Sequence, residues 1–91
     1  YPEQITVKVL QHHIDEGTCG NIFGCAVALA LREMFPDAFR ISTGSRTFRL
    51  TDFSGVEYQY SLPGVARCFI TYFDDLQSVQ PFEFTAHQIS D

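Results

Sequence analysis

Tryptophan is absent from this chain of 91 residues, and there is one methionine. No apolar run reaches the roughly 20 residues that a membrane-spanning helix needs. The longest, Cys25 to Leu31, stops at Arg32 and Glu33. Basic residues are scarce: six Lys and Arg stand against eleven Asp and Glu, for a net charge of −5. That balance argues against duplex nucleic acid as a partner, because such proteins present a broad basic face, but it leaves room for a small basic pocket. The acids are scattered rather than blocked, which is the pattern of a solvated surface and not of a nucleic-acid mimic. Three cysteines are too few, and of the wrong parity, for the disulfide framework of a small secreted domain. Cys19, Cys25 and Cys68 therefore read as thiols in a reducing, cytoplasmic compartment, with a single Cys19–Cys25 bridge as the alternative. Tyr1-Pro2-Glu3-Gln4 has neither the basic start nor the apolar stretch of a secretory leader.

What is present is aromatic. Nine Phe and four Tyr within a 45% hydrophobic chain supply a core for one domain near the lower limit of self-sufficient size. Ile5, Val7 and Val9 alternate with polar residues and predict a strand over 4–10. Gln11 to Glu16 is expected to form one helical turn, with Gly17 as its left-handed stop. The main helix is expected from Ile22, with Asn21 as a possible N-cap, to Phe35, ahead of Pro36. Its apolar stripe is Ile22, Ala26, Leu29, Ala30 and Met34, widened by Val27, Leu31 and Phe35. Three alternating segments follow, with Phe39, Ile41, Phe48, Leu50, Val56, Tyr58, Tyr60 and Leu62 on the core side. Turns at Thr43-Gly44-Ser45 and Asp52-Phe53-Ser54-Gly55 join them into a meander. Pro63 opens a last helix whose buried stripe is Val65, Phe69, Tyr72, Phe73 and Leu76. Pro81 to Thr85 is a final strand. The expected fold is α+β: a small, mostly antiparallel sheet of four to five strands with two main helices on one face, in the order β-α-α-β-β-β-α-β.

Most of the residues that could carry chemistry lie between His12 and Met34. His12, His13, Cys19, Cys25 and His87 are potential metal ligands, but Cys19 and Cys25 are six apart and the adjacent histidines point different ways. The spacing of a structural zinc site is missing, and no metal or cofactor is expected. Cys25 near a helix start with His13 as base would make a nucleophile pair. No orienting Asn or Asp is recognisable, and Cys25 opens a run of small apolar residues that suits a buried thiol. Gly17 to Gly24 lacks the Gly-Lys-Ser/Thr of a phosphate loop and the spacing of a dinucleotide fingerprint. It still offers backbone amides at a helix start, so Thr18, Gly20, Asn21 and Gly24 are candidate anion-binding residues. Arg40 and Arg49 share the face opposite Phe39, Ile41, Phe48 and Leu50. Two guanidiniums drawn together there suit a carboxylate or phosphate, unless Glu57 pairs with Arg49 across the sheet.

His13-Ile14-Asp15-Glu16-Gly17, Cys25-Ala26-Val27-Ala28-Leu29-Ala30-Leu31, Leu62-Pro63, Phe73-Asp74 and Pro81-Phe82-Glu83-Phe84 together resemble a pattern in small proteins of phages and of bacterial genomes carrying phage genes. Where that pattern often has Pro after the helix Cys, this chain has Ala26. The resemblance implies a phage-type accessory protein in the host cytosol, and it assigns no activity to individual residues. The expectation is a non-enzymatic, anti-defence binding protein that sequesters an anionic small ligand such as a nucleotide signal. Its alternatives are a protein–protein inhibitor of a host enzyme and, third, a Cys–His hydrolase. A core of this size also leads to the expectation of a homo-oligomer.

Overall fold

Alternation along Gln4–Val9 makes β1: Ile5, Val7 and Val9 are buried while Gln4, Thr6 and Lys8 face out. The computed structural model describes residues 1–89. After β1 come α1 (Gln11–Glu16), α2 (Ala26–Met34), β2 (Arg40–Thr43), β3 (Thr47–Thr51), β4 (Glu57–Ser61), α3 (Gly64–Asp74) and β5 (Phe82–Gln88). The five strands form one antiparallel sheet in the order β1-β5-β4-β3-β2, an α+β fold in the expected sequence of elements. No helix is long and apolar enough to cross a membrane, among the described residues.

One face of the sheet carries the core. Phe48 stacks on Tyr60 with ring centroids 5.0 Å apart, and Val7, Val9, Leu50 and Ala86 are also fully buried there. Each large apolar side chain so enclosed contributes about 1.5–3 kcal/mol. The Tyr60 hydroxyl satisfies itself by donating to the Pro2 carbonyl at 2.6 Å. Helix α2 lies across β1 and β2, and α3 closes the other half, with Phe69 against Phe82 at 4.5 Å between centroids. The opposite face is bare: Thr6, Lys8, Glu83, His87, Arg40 and Arg49 stand exposed on it.

Several local expectations are corrected. Gly17 is not left-handed (φ −70°, ψ 151°); a Cβ there would sit 2.7 Å from the Ala26 backbone nitrogen and 2.9 Å from the His13 carbonyl oxygen. Glycine is required by close approach between α1 and the start of α2, not by φ. Helix α2 begins at Ala26, with Cys25 as N-cap instead of Asn21. Ile22 cannot belong to it, because its carbonyl accepts the Thr43 N–H at 2.8 Å and is held against β2. Ile22, Met34, Phe39 and Val56, expected inside, are exposed.

In α3 the buried stripe is Ala66, Phe69, Ile70 and Phe73, and Pro63 is the N-cap rather than the first helical residue. Val65, Tyr72 and Leu76 point outward. Leu76 adopts φ 61°. Its N–H donates to Phe73 and that of Gln77 to Tyr72, the paired bonds of a Schellman stop. Strand β5 runs on to Gln88, beyond the expected end at Thr85.

Candidate functional site

The β2–β3 hairpin places Arg40 and Arg49 on the bare face, both exposed. Arg40 stands opposite Thr51, and Arg49 lies between Ser42 on β2 and Gln59 on β4. The two arginines are diagonal neighbours, a spacing of roughly 7–8 Å along a strand pair, so their long side chains can converge on one group. Glu57 is opposite Thr51 and diagonal to Arg49, and no ion pair joins it to Arg49. The only ion pairs among the described residues join histidines to Glu33, which leaves both guanidiniums without a carboxylate. Hydroxyls stand beside Arg49. Ser42 and Thr47 line a recess of about 180 Å³ with Arg49, Gly44 and Ile22. Arg40 lies with its guanidinium carbon 5.9 Å from the centroid of Phe23, a cation–π distance.

The glycine-rich loop adjoins this hairpin through Ile22 and Phe23, but the amides of its candidate residues are engaged within the chain. Thr18 N–H donates to Gly24, Asn21 to Thr18 and Gly24 to Asn21. Phe23 N–H donates to the Asn21 side chain. The Gly20 N–H donates at 2.9 Å to a carboxylate oxygen of Asp74. An anion arriving at Gly20 would meet that carboxylate. The backbone amides of Thr18, Gly20, Asn21 and Gly24 thus close a bonded corner, whereas the guanidiniums of Arg40 and Arg49 stay open to an anion.

Behind the loop, Cys25, Thr43, Ile70 and Asp74 help line a second recess of about 100 Å³. Burial pushes the Cys25 thiol above its ordinary pKa, the opposite of what an attacking thiolate needs. The three cysteines are free, Cys25 buried and Cys68 exposed. The Thr43 hydroxyl is the buried side-chain polar atom without a partner among the described residues.

His12 and His13 do not diverge as their adjacency suggested. The Nε2 atoms of both reach one oxygen of Glu33, at 2.8 and 2.6 Å, and their rings lie 4.0 Å apart. The three ligand atoms fall within 4.8 Å of one another, close enough to share a cation. The hydrogen bonding of His13 argues against one. Its Nδ1 accepts the Leu10 N–H at 2.9 Å, so the neutral ring carries its proton on Nε2 and donates it to Glu33. A metal on Nε2 would need that nitrogen bare and would turn a protonated Nδ1 against the Leu10 N–H.

With both nitrogens engaged, His13 is no base for Cys25 either. The cluster is a latch that ties the start of α1 to the end of α2. Hydrogen bonding to Glu33 raises the pKa of His12, and the same bond, with that of His13, lowers the pKa of Glu33. Glu33, twenty residues from His13, is the partner that sequence reasoning missed, since no short-range spacing announces it.

No protein-family model, no curated protein and no solved structure matches this chain.

Proposed function

We propose that this is a non-enzymatic binding protein that captures an anionic group on the bare face of its β2–β3 hairpin. One observation carries the reading: in a chain of net charge −5, Arg40 and Arg49 share an open face without a carboxylate partner among the described residues. Leaving like charges adjacent is unfavourable unless an anion joins them, and guanidinium forks suit phosphate or carboxylate oxygens. The hydroxyls of Ser42 and Thr47 supply neutral donors beside them. Phe23 is an exposed ring that can stack on a base once Arg40 turns to a phosphate, which favours nucleotides within the anionic class. The resemblance to phage-type proteins supports an anti-defence role in a host cytosol, where sequestering a nucleotide signal needs no catalysis. The free thiols are compatible with a reducing compartment.

Calorimetric titration with inorganic pyrophosphate and a panel of nucleotides tests this. Each charge-assisted contact is worth about 1.5–3 kcal/mol, so Arg49→Gln should weaken the affinity by about 10- to 100-fold. An unchanged affinity in the Arg40→Gln/Arg49→Gln double variant, or no binding across the panel, removes the reading.

A second reading, a protein–protein inhibitor, has its own support. Phe39 and Phe53 are 55% and 77% exposed and meet edge-to-face at 5.3 Å between centroids. Exposed aromatic rings are enriched at protein interfaces. A pull-down from host lysate that loses its partner on Phe53→Ala would favour it over the anion reading.

A further inference from the structure

The two edges of the sheet are finished differently. On β2, a strand of only four residues, the outward Thr43 N–H is taken by the Ile22 carbonyl, so the glycine-rich corner covers that edge. On β1 nothing comparable happens. The Gln88 N–H donates to the Glu3 carbonyl, and the register pairs Ile5 with Ala86, Val7 with Phe84 and Val9 with Phe82. Because an antiparallel strand turns its N–H and C=O groups to alternate sides, the odd-numbered residues bond β5. The main-chain groups of Gln4, Thr6, Lys8 and Leu10 then point away from the sheet. His13 Nδ1 takes the Leu10 N–H. The N–H groups of Gln4, Thr6 and Lys8 have no partner among the described residues. They border a groove of about 250 Å³ that Leu10, Ala30 and Met34 also line, and Leu10 and Met34 are exposed apolar side chains. Unpaired edge groups beside an apolar groove are a template for an added strand.

The geometry points to β1 of a second copy of this chain as that strand, giving a two-fold dimer with one continuous ten-stranded antiparallel sheet. This goes beyond the anion reading and does not depend on it. The strand is self-complementary. With the two-fold axis at Thr6, that residue meets its own copy and exchanges both main-chain bonds with it. Gln4 of each protomer then stands opposite Lys8 of its partner, and the two Lys8 ammonium groups are kept apart. Each Lys8 also faces Glu83 across β5 within its own sheet, so like charges do not meet on the open face. Pairing removes the free edge, and Leu10 and Met34 border the seam, where an isologous contact can bury apolar surface that a core this small lacks.

Light scattering on the whole chain, together with amide hydrogen exchange read residue by residue, tests this. The expected result is a mass twice that of the monomer, with Thr6 and Lys8 amides slowed on the order of tenfold or more and their protection lost on dilution. Thr6→Pro should give a folded monomer, since the N–H it removes bonds nothing in β5. Exchange on the unaltered protein decides the matter if that variant does not fold. A monomer at about millimolar concentration overturns the proposal. So does a dimer whose Thr6 and Lys8 amides exchange freely, which would move the interface elsewhere, such as the outward Val65 and Tyr72 of α3.

Discussion

Gly17→Ala is expected to destabilise the protein by about 1–3 kcal/mol, the range for overpacking a filled site. The sign is what makes the test sharp. At φ −70° and ψ 151° an L-residue is comfortable, so conformational entropy alone would have alanine stabilise by about 0.4–1 kcal/mol. Packing says the reverse. The new methyl carbon would lie 2.7 Å from the Ala26 nitrogen, 2.9 Å from the His13 oxygen and 3.0 Å from Phe73 Cζ. The first two are main-chain atoms at the start of α2 and within α1, and neither can yield without moving a helix. The His13 carbonyl is also the acceptor of the Gly17 N–H. Urea unfolding followed by far-ultraviolet circular dichroism gives the free energy. The thermal midpoint should fall by several degrees per kcal/mol, about 4–8 °C for a domain of this size. Gly64→Ala is the control, because a Cβ there meets nothing within 4 Å and should leave stability unchanged or slightly raised. If Gly17→Ala matched Gly64→Ala, the close approach of α1 to α2 would be disproved.

Other outcomes follow from the same contacts. The His12–His13–Glu33 cluster should contribute most to stability between about pH 4.5 and 6.5, the ordinary values of Glu33 and His12. The raised pKa of His12 gives stabilisation that is complete below its unfolded value and lost as pH rises through the folded one; the lowered pKa of Glu33 gives stabilisation lost as pH falls through its folded value. Glu33→Gln should flatten both limbs of a melting-temperature profile, and an unchanged profile would discount the latch. Leu76→Gly should raise stability by about 1 kcal/mol, since φ 61° costs a side chain that much and Leu76 is 82% exposed. A loss in chemical denaturation would mean that the leucine makes a contact worth more than its strain.

The strands were legible because each had one wet face and one dry one. In β1, β3 and β4 the alternation of polar and apolar residues is enough to mark the element and its core side. The helices were less so. Val65 and Tyr72 fall on a helical stripe with Leu76 as readily as Ala66, Ile70 and Phe73 do with Phe69, and only the sheet decides which stripe is covered. The start of α2 was misplaced because a long-range bond, Thr43 to Ile22, withholds Ile22 from a helix that its composition invites.

In the candidate site, parity along β2 and β3 put Arg40 and Arg49 on one face, but their stagger depends on the register of the hairpin. The glycine-rich loop was legible as a corner and not as a closed set of bonds, because Asp74, which holds Gly20, comes from the end of α3. His13 shows the same limit: its nitrogens are committed to Leu10 nearby and to Glu33 far along the chain.

An anion held at the hairpin would perturb different residues from one held at the loop amides. Amide and arginine side-chain resonances followed by nuclear magnetic resonance during titration with inorganic pyrophosphate and then a nucleoside triphosphate test the hairpin site most directly. Saturable shifts centred on Arg40, Ser42, Thr47 and Arg49, with Phe23 moving only for the nucleotide, are the expected result. Shifts confined to Thr18, Gly20, Asn21 and Gly24, or none at millimolar ligand, would contradict it.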